Sequence, residues 1–217
     1  MLKYLKEKGP HGARLPLIMC PGCGAGQVLN YTLHAVDDII QDGGVKKEDF
    51  VFISGVGCSS RLTSHYLNFD SGWTLHGRAL AIATGALLAN PDLNIIVFTG
   101  DGDAASIGGN HFIHAFRRNI NVTVICMNNG LYGMTGGQMA PTTLPGQVTT
   151  SSPGGRDIAE AGFPMKMAEQ NMMGFAAGLA REGFFPFVHT FAVFICRRPF
   201  DQVAMSIAYP NLPVRLI

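Results

Sequence analysis

The sequence predicts an α/β fold built on a doubly wound parallel sheet, and three observations lead there. Ile95-Ile96-Val97-Phe98 is an uninterrupted apolar run, the pattern of a strand covered on both faces, and Val122 to Met127 reads as a second buried strand. Between them Ala105 to Arg118 reads as a helix, giving the strand–helix–strand alternation of a parallel sheet. Each apolar run, including Val51-Phe52-Ile53, also stops at a glycine-rich or polar word: SGVGCSSR, GDGD and NN in chain order. These words fall at strand carboxyl ends, where open α/β sheets bind ligands.

Bulk properties set the frame. The 217 residues suit one domain of moderate size, or one and a fraction. With a net charge of +1 and 14% charged residues, neither a nucleic acid nor a membrane surface is an expected partner. MLKYLKEKGPHG lacks a signal-peptide core, and the apolar run Gly183 to Cys196 is too short to span a bilayer, so a soluble, cytoplasmic protein is expected.

Taken in order, Met1 to Pro16 reads as a flexible leading arm, followed by CPGCGAG at Cys20 to Gly26. By itself this C-x-x-C fits structural zinc, an iron–sulfur cluster or a redox dithiol. Cys58 stands after the Val51–Ile53 strand, and Arg61 ends the same word. His76 heads HGRALAIATGALLAN, a predicted helix with Ala79, Ile82, Ala83, Ala86 and Leu87 on one face and Pro91 past its end. There it could donate to a phosphate, polarise a substrate carbonyl or simply cap the helix. In GDGD, Gly100 and Gly102 allow close approach of a bulky anion, while Asp101 and Asp103 would repel it unless a cation lay between. Asp101 and Asn129, at neighbouring strand tips, each offer a hard oxygen, and the expected picture is a diphosphate bridged by Mg2+. Cys126, inside a buried strand, reads as a core thiol. His111 and His114 have no evident third ligand and read as structural or interface residues. Gly130 to Asp157 is glycine- and proline-rich and too long for a passive connection, so an active-site loop is expected.

Longer words narrow the reading. HGRALAIATG, GDGDAASIGGNHFIHAFRRNI and NNGLYGMTGGQMAPTT together resemble the beta subunit of 2-oxoacid:ferredoxin oxidoreductases, close to the 2-oxoglutarate type. The resemblance covers about residues 1–168 and implies the thiamine diphosphate-binding fold. It implies that Asp101, Asn129 and the Leu131 carbonyl hold Mg2+. It further implies that Gly57, Cys58, Ser59, His76, Gly100, Gly102, Asp103, Tyr132, Gly133, Met134 and Thr135 surround the cofactor, with Met134 on the approach of coenzyme A. Cys20, Cys23 and Cys58 are implied as three ligands of a [4Fe-4S] cluster, with Cys196 the remaining candidate for the fourth. Arg61, by its two-pronged hydrogen bonding, is the choice for gripping the far carboxylate of a dicarboxylic 2-oxoacid. Gly154 departs from the family, which usually has an aromatic residue before GR. An alpha subunit supplying the pyrimidine-binding half, and ferredoxin as electron acceptor, are the implied partners.

From Ala168-Glu169 onward the text instead resembles the pyrimidine-binding domain of transketolase, in which Glu169 would hydrogen-bond the cofactor's aminopyrimidine; the alternative is a first-turn acid stabilising its helix. Helices are expected over 167–181 and 199–208 and strands over 186–194 and 214–217, an incomplete second α/β segment. The division expected is therefore 1–162 and 163–217. Two other functions remain open: a transketolase-like transferase, supported by Glu169 and the C-terminal tail but leaving the cysteines idle, and a non-catalytic thiamine diphosphate-binding module.

Overall fold

The computed structural model describes residues 2–5, 18–161 and, beyond them, 177, 180–181, 187–188, 207–208 and 210–216. The chain divides into two compact units, Met1–Pro164 and Met165–Ile217. In the first, a four-stranded sheet runs in the order β2-β1-β3-β4, with β1 Phe50–Ser54, β2 Asp70–Trp73, β3 Asn94–Gly100 and β4 Thr123–Met127. Every pairing is parallel. Because the chain leaves β1 toward β2 and then returns to lay β3 on the other side of β1, the switch point lies between the carboxyl ends of β1 and β3.

Alternation along the strands sorts the side chains into two cores. Phe50, Phe52, Ile96 and Phe98 face helices α1 (Ala25–Gln41) and α2 (Arg61–Tyr66), joining Leu29, Leu33, Leu62 and Tyr66. Ile53, Ile95 and Val97 face α3 (Ala79–Ala89) and α4 (Gly109–Arg117), meeting Leu80, Ala83 and Ala115. α1 arises from the spacing of Ala25, Leu29, Leu33 and Val36, one buried stripe at helical period.

Several local expectations need correction. The leading arm is docked at Leu2–Leu5: Tyr4 is 3% exposed, its hydroxyl donates to Asp37 at 2.6 Å, and its carbonyl accepts the Asn68 N–H at 2.8 Å. The helix expected from His76 begins only at Ala79, because Gly77 adopts φ +73°, a left-handed conformation that an α-helix excludes. On α3, Ile82 is 51% exposed and Leu80 is buried; a helix apolar on every side gives no periodic stripe from which to choose a face. The helix after GDGD opens as a π-helical turn over Gly102–Ile107, and Gly108 donates back to the Asp103 carbonyl at 2.9 Å. The loop after Asn129 carries a small antiparallel hairpin, β5 Leu131–Tyr132 and β6 Gln138–Met139.

In the second unit, β7 Phe187–Val188 and β8 Arg215–Leu216 pair in parallel, within the two spans where strands are expected. Most of the helices expected over 167–181 and 199–208 lies outside the described residues, as do Glu169 and Cys196. Among the described residues no helix is long and apolar enough to cross a membrane.

Phe52, fully buried between Phe69 and Phe98, is central to the α1-side core. Phe52→Ala is expected to destabilise the first unit by about 3–5 kcal/mol, read as a lowered midpoint in urea titration followed by fluorescence.

Candidate functional site

A cavity of about 440 Å³ opens over the carboxyl ends of β1, β3 and β4, at the switch point. Its size and mainly apolar lining suit a small-molecule site. The structure gathers around it Gly57, Cys58, Ser59, His76, Gly100, Asp101, Gly102, Asp103, Asn129, Leu131, Tyr132, Gly133, Met134 and Thr135. Neither Arg61 nor Cys20 borders it.

The two carboxylates of GDGD, 1% and 3% exposed, differ in what they hold. Asp103 Oδ1 accepts the backbone N–H groups of Gly77 at 2.7 Å and Val56 at 3.3 Å and pairs with His76 Nδ1, while Oδ2 accepts the Thr99 hydroxyl at 2.8 Å. Asp103 thus accepts from four partners, three of them crowded on Oδ1, while Oδ2 is packed against Gly55. Asp101 receives the Asn129 backbone N–H at 3.4 Å and the Thr142 hydroxyl, which leaves lone pairs for a ligand. Both carboxylates border the cavity; Asp103 fastens the segments around it, and Asp101 has oxygens to spare. Because a carboxylate only accepts, its partnership fixes the proton of His76 on Nδ1 and leaves Nε2 as the other working nitrogen. His76 stands in a turn before α3, its ring edge-on to Tyr132 with centroids 6.3 Å apart.

The glycines of the site serve close packing. A Cβ at Gly55 would fall 2.1 Å from Asp103 Oδ2, and one at Gly102 would fall 2.3 Å from the Tyr132 ring. Gly102 thus makes room for Tyr132. Gly57, at φ +138°, turns the chain after β1 so that Cys58 and Ser59 meet the cavity.

Asn129 is exposed, and its Oδ1 accepts the Leu131 N–H at 3.3 Å, folding the Asn-Asn-Gly turn over the tip of β4. The Asn129 backbone N–H on Asp101 ties the two strand tips together, while the Asn129 side-chain oxygen is engaged within its own turn. Arg61 opens α2, half-buried, and affects Cys58 rather than the cavity. Burial pushes the Cys58 thiol up, Arg61 pulls it down, and the thiols of Cys20 and Cys23 raise it again, so the three cysteines share one neighbourhood. Among the described residues, however, no set of three His, Cys, Asp or Glu side chains is arranged to hold a metal, so these thiols do not stand at ligand spacing. Cys126 corrects another expectation, since it is half-buried and lines the cavity; burial, with Asp101 and Asp103 nearby, pushes its thiol up to about 12.

Three residues of the site have no precedent in the sequence reading: Thr142, Thr143 and Arg156. Arg156, 5% exposed, donates from Nη1 to the carbonyls of Ala140 and Pro141 at 3.0 Å and of Thr143 at 2.9 Å. The one available signal was the abundance of Thr, Gly and Pro in the loop.

A doubly wound sheet with an acid and an amide meeting at its switch point, above a cavity of cofactor size, defines an α/β protein of the thiamine diphosphate-binding class. Residues 55–183 match the family model of the thiamine pyrophosphate enzyme C-terminal TPP binding domain, and the chain belongs to that family. It is similar to the 2-oxoglutarate synthase subunit KorB of Methanocaldococcus jannaschii, 53% identical over 154 residues, covering 71% of this chain and 53% of the relative. It is also similar to the 2-oxoglutarate oxidoreductase subunit KorB of Mycobacterium tuberculosis, 53% identical over 136 residues, covering 63% of this chain and 35% of the relative. A solved structure of 2-oxoglutarate:ferredoxin oxidoreductase from Magnetococcus marinus, with 2-oxoglutarate, coenzyme A and succinyl-CoA bound, aligns with a TM-score of 0.63 at 32% identity over 99% of this chain and 64% of that one. The chain spans about half the length of the curated relatives it matches.

Two measurements test this geometry. Asp103→Asn should destabilise the first unit by about 2–4 kcal/mol, because an amide nitrogen would face groups that donate, whereas Asp101→Asn should change the unfolding midpoint little. At pH 8 a thiol of pKa about 12 is ionised only to about one part in ten thousand, so iodoacetamide followed by peptide mass mapping should label exposed Cys20 and Cys23 well before Cys126.

Proposed function

We propose that this chain is the thiamine diphosphate-binding beta component of a 2-oxoacid:ferredoxin oxidoreductase of the 2-oxoglutarate type. It would form acyl-CoA and CO2 from a 2-oxoacid and coenzyme A and pass two electrons to ferredoxin. The observation that supports this reading is the pairing of Asp101, buried yet with lone pairs to spare, with Asn129 at the switch-point cavity. Hard oxygens of this kind fit Mg2+, which commonly takes one or two protein groups and completes its shell with phosphate oxygens and water. Asp101, Asn129 and the Leu131 carbonyl are the groups proposed to hold it. The relatives' names and the ligands of the Magnetococcus marinus structure favour 2-oxoglutarate and coenzyme A.

Thiamine diphosphate, when bound, supplies an electron sink for loss of CO2 from the 2-oxoacid. The chain's own residues prepare that site. Val28, Ile125, Met127, Leu131 and Met134 present apolar surface that limits water in the cavity. Asp103 holds His76, whose Nε2 is the atom proposed to hold or deliver a proton at a substrate carbonyl. Cys20, Cys23 and Cys58, with Cys196, are the thiols proposed for a [4Fe-4S] cluster, although among the described residues the first three are not gathered as a metal site. The aminopyrimidine partner is assigned to a second, alpha subunit, with Glu169 the candidate within this chain. Division at 1–162 and 163–217, and a cytoplasmic setting, belong to the same proposal.

The test is calorimetric titration of the full chain with thiamine diphosphate, with and without Mg2+. Binding should require the ion, and Asp101→Ala should weaken it at least 100-fold. Unchanged binding by Asp101→Ala overturns the assignment. With its partner subunit present, the wild-type chain should reduce a viologen dye anaerobically in the presence of 2-oxoglutarate and coenzyme A.

A further inference from the structure

We propose that Arg156 is a positioning residue of the divalent-ion site, acting through the turn that carries Thr142 and Thr143; this rests on the Mg2+ reading given above. Residues 140–147 are folded around Arg156. Its Nη1 holds the carbonyls of Ala140, Pro141 and Thr143, its backbone N–H donates to the Gln147 carbonyl at 3.0 Å, and its carbonyl accepts the Gly146 N–H at 2.9 Å. Three carbonyl oxygens converging on one nitrogen would repel one another without it, so the guanidinium is what allows this turn to close.

From the closed turn two hydroxyls reach the strand tips. Thr142, 5% exposed, donates to Asp101 Oδ2. Thr143, fully buried, donates to the Gly130 carbonyl and accepts the Ala140 N–H at 2.8 Å. Gly130 follows Asn129 directly, so a single turn steadies the acid after β3 and the residues after β4. Groups that hydrogen-bond an ion's ligands set their orientation, and their loss typically weakens metal binding 10- to 100-fold. A Thr142 hydroxyl aimed at Asp101 is such a group. Arg156 stands one step further out, linked to Asp101 through the turn that carries Thr142.

The experiment measures the Mg2+ concentration giving half-maximal thiamine diphosphate binding by the full chain, beside the urea midpoint. Thr142→Val should raise the Mg2+ requirement about 10-fold with little change in unfolding, and Thr142→Ser should restore it. Arg156→Gln should raise it by a similar factor, with Arg156→Lys between Gln and wild type. The double variant Thr142→Val/Arg156→Gln should be no worse than the weaker single variant, because both act on Asp101 by one route. Additive effects, or variants that lose stability while keeping the wild-type Mg2+ requirement, overturn the positioning role. A wild-type chain that binds thiamine diphosphate equally without Mg2+ overturns the metal reading itself, which separates the two failures.

Discussion

Two carboxylates buried two residues apart, Asp101 and Asp103, impose the constraint on which this site depends. Like charges removed from water repel strongly, and each must be matched by donors or it will not stay ionised. Asp103 is matched from three separate stretches of chain: Thr99 at the end of its own strand, Val56 after β1, and His76 with Gly77 ahead of α3. Its carboxylate thereby ties together the segments that meet at the switch point. The cavity exists because those segments are held at fixed separation by a charge that none of them could bury alone.

The surrounding glycines follow from the same constraint. For the Gly77 amide to reach Asp103 the turn before α3 must pass close to the π-helical turn after β3, and a Cβ at Gly77 would lie 2.5 Å from the Gly108 nitrogen. On the other side, a Cβ at Gly108 would lie 2.7 Å from the Asp103 carbonyl, the acceptor of Gly108's own N–H. The extra residue in the π turn lets that hydrogen bond span five positions and keeps Asp103 at the floor of the cavity. What looks in the sequence like one phosphate loop is a glycine-lined crossing of three backbones.

How much of this was legible follows from the range of each signal. β1, β3, β4 and the words at their ends are local patterns, and they placed the cavity's lining residues in one region before any coordinates. α1 is legible too, since Leu29, Leu33 and Val36 repeat at helical spacing just after CPGCG. Ile82 was assigned to the wrong side because α3 is apolar throughout, leaving neighbours rather than periodicity to decide burial. Arg61 lay one helical turn past a correctly placed loop, and entry into α2 carries it off the cavity rim. Arg156 and Thr142 could not be read at all. Their roles depend on a contact between Thr142 and Asp101, 41 positions apart, and on carbonyls that any sequence would supply.

The division between the two acids also bears on the placement of Arg156, packed into this loop away from Asp101. A guanidinium on Asp101 would satisfy the carboxylate fully and cancel the charge that attracts a divalent ion. The structure instead gives Asp101 two neutral donors, an amide and a hydroxyl, which orient it without neutralising it. The positive charge of Arg156 is spread over the carbonyls of Ala140, Pro141 and Thr143, one turn removed, where it stiffens the backbone that carries the hydroxyl. Asp103, which has no ion to attract, can accept the histidine and be used up. One carboxylate is spent on assembling the site so that the other, two residues earlier, keeps acceptor positions available within it.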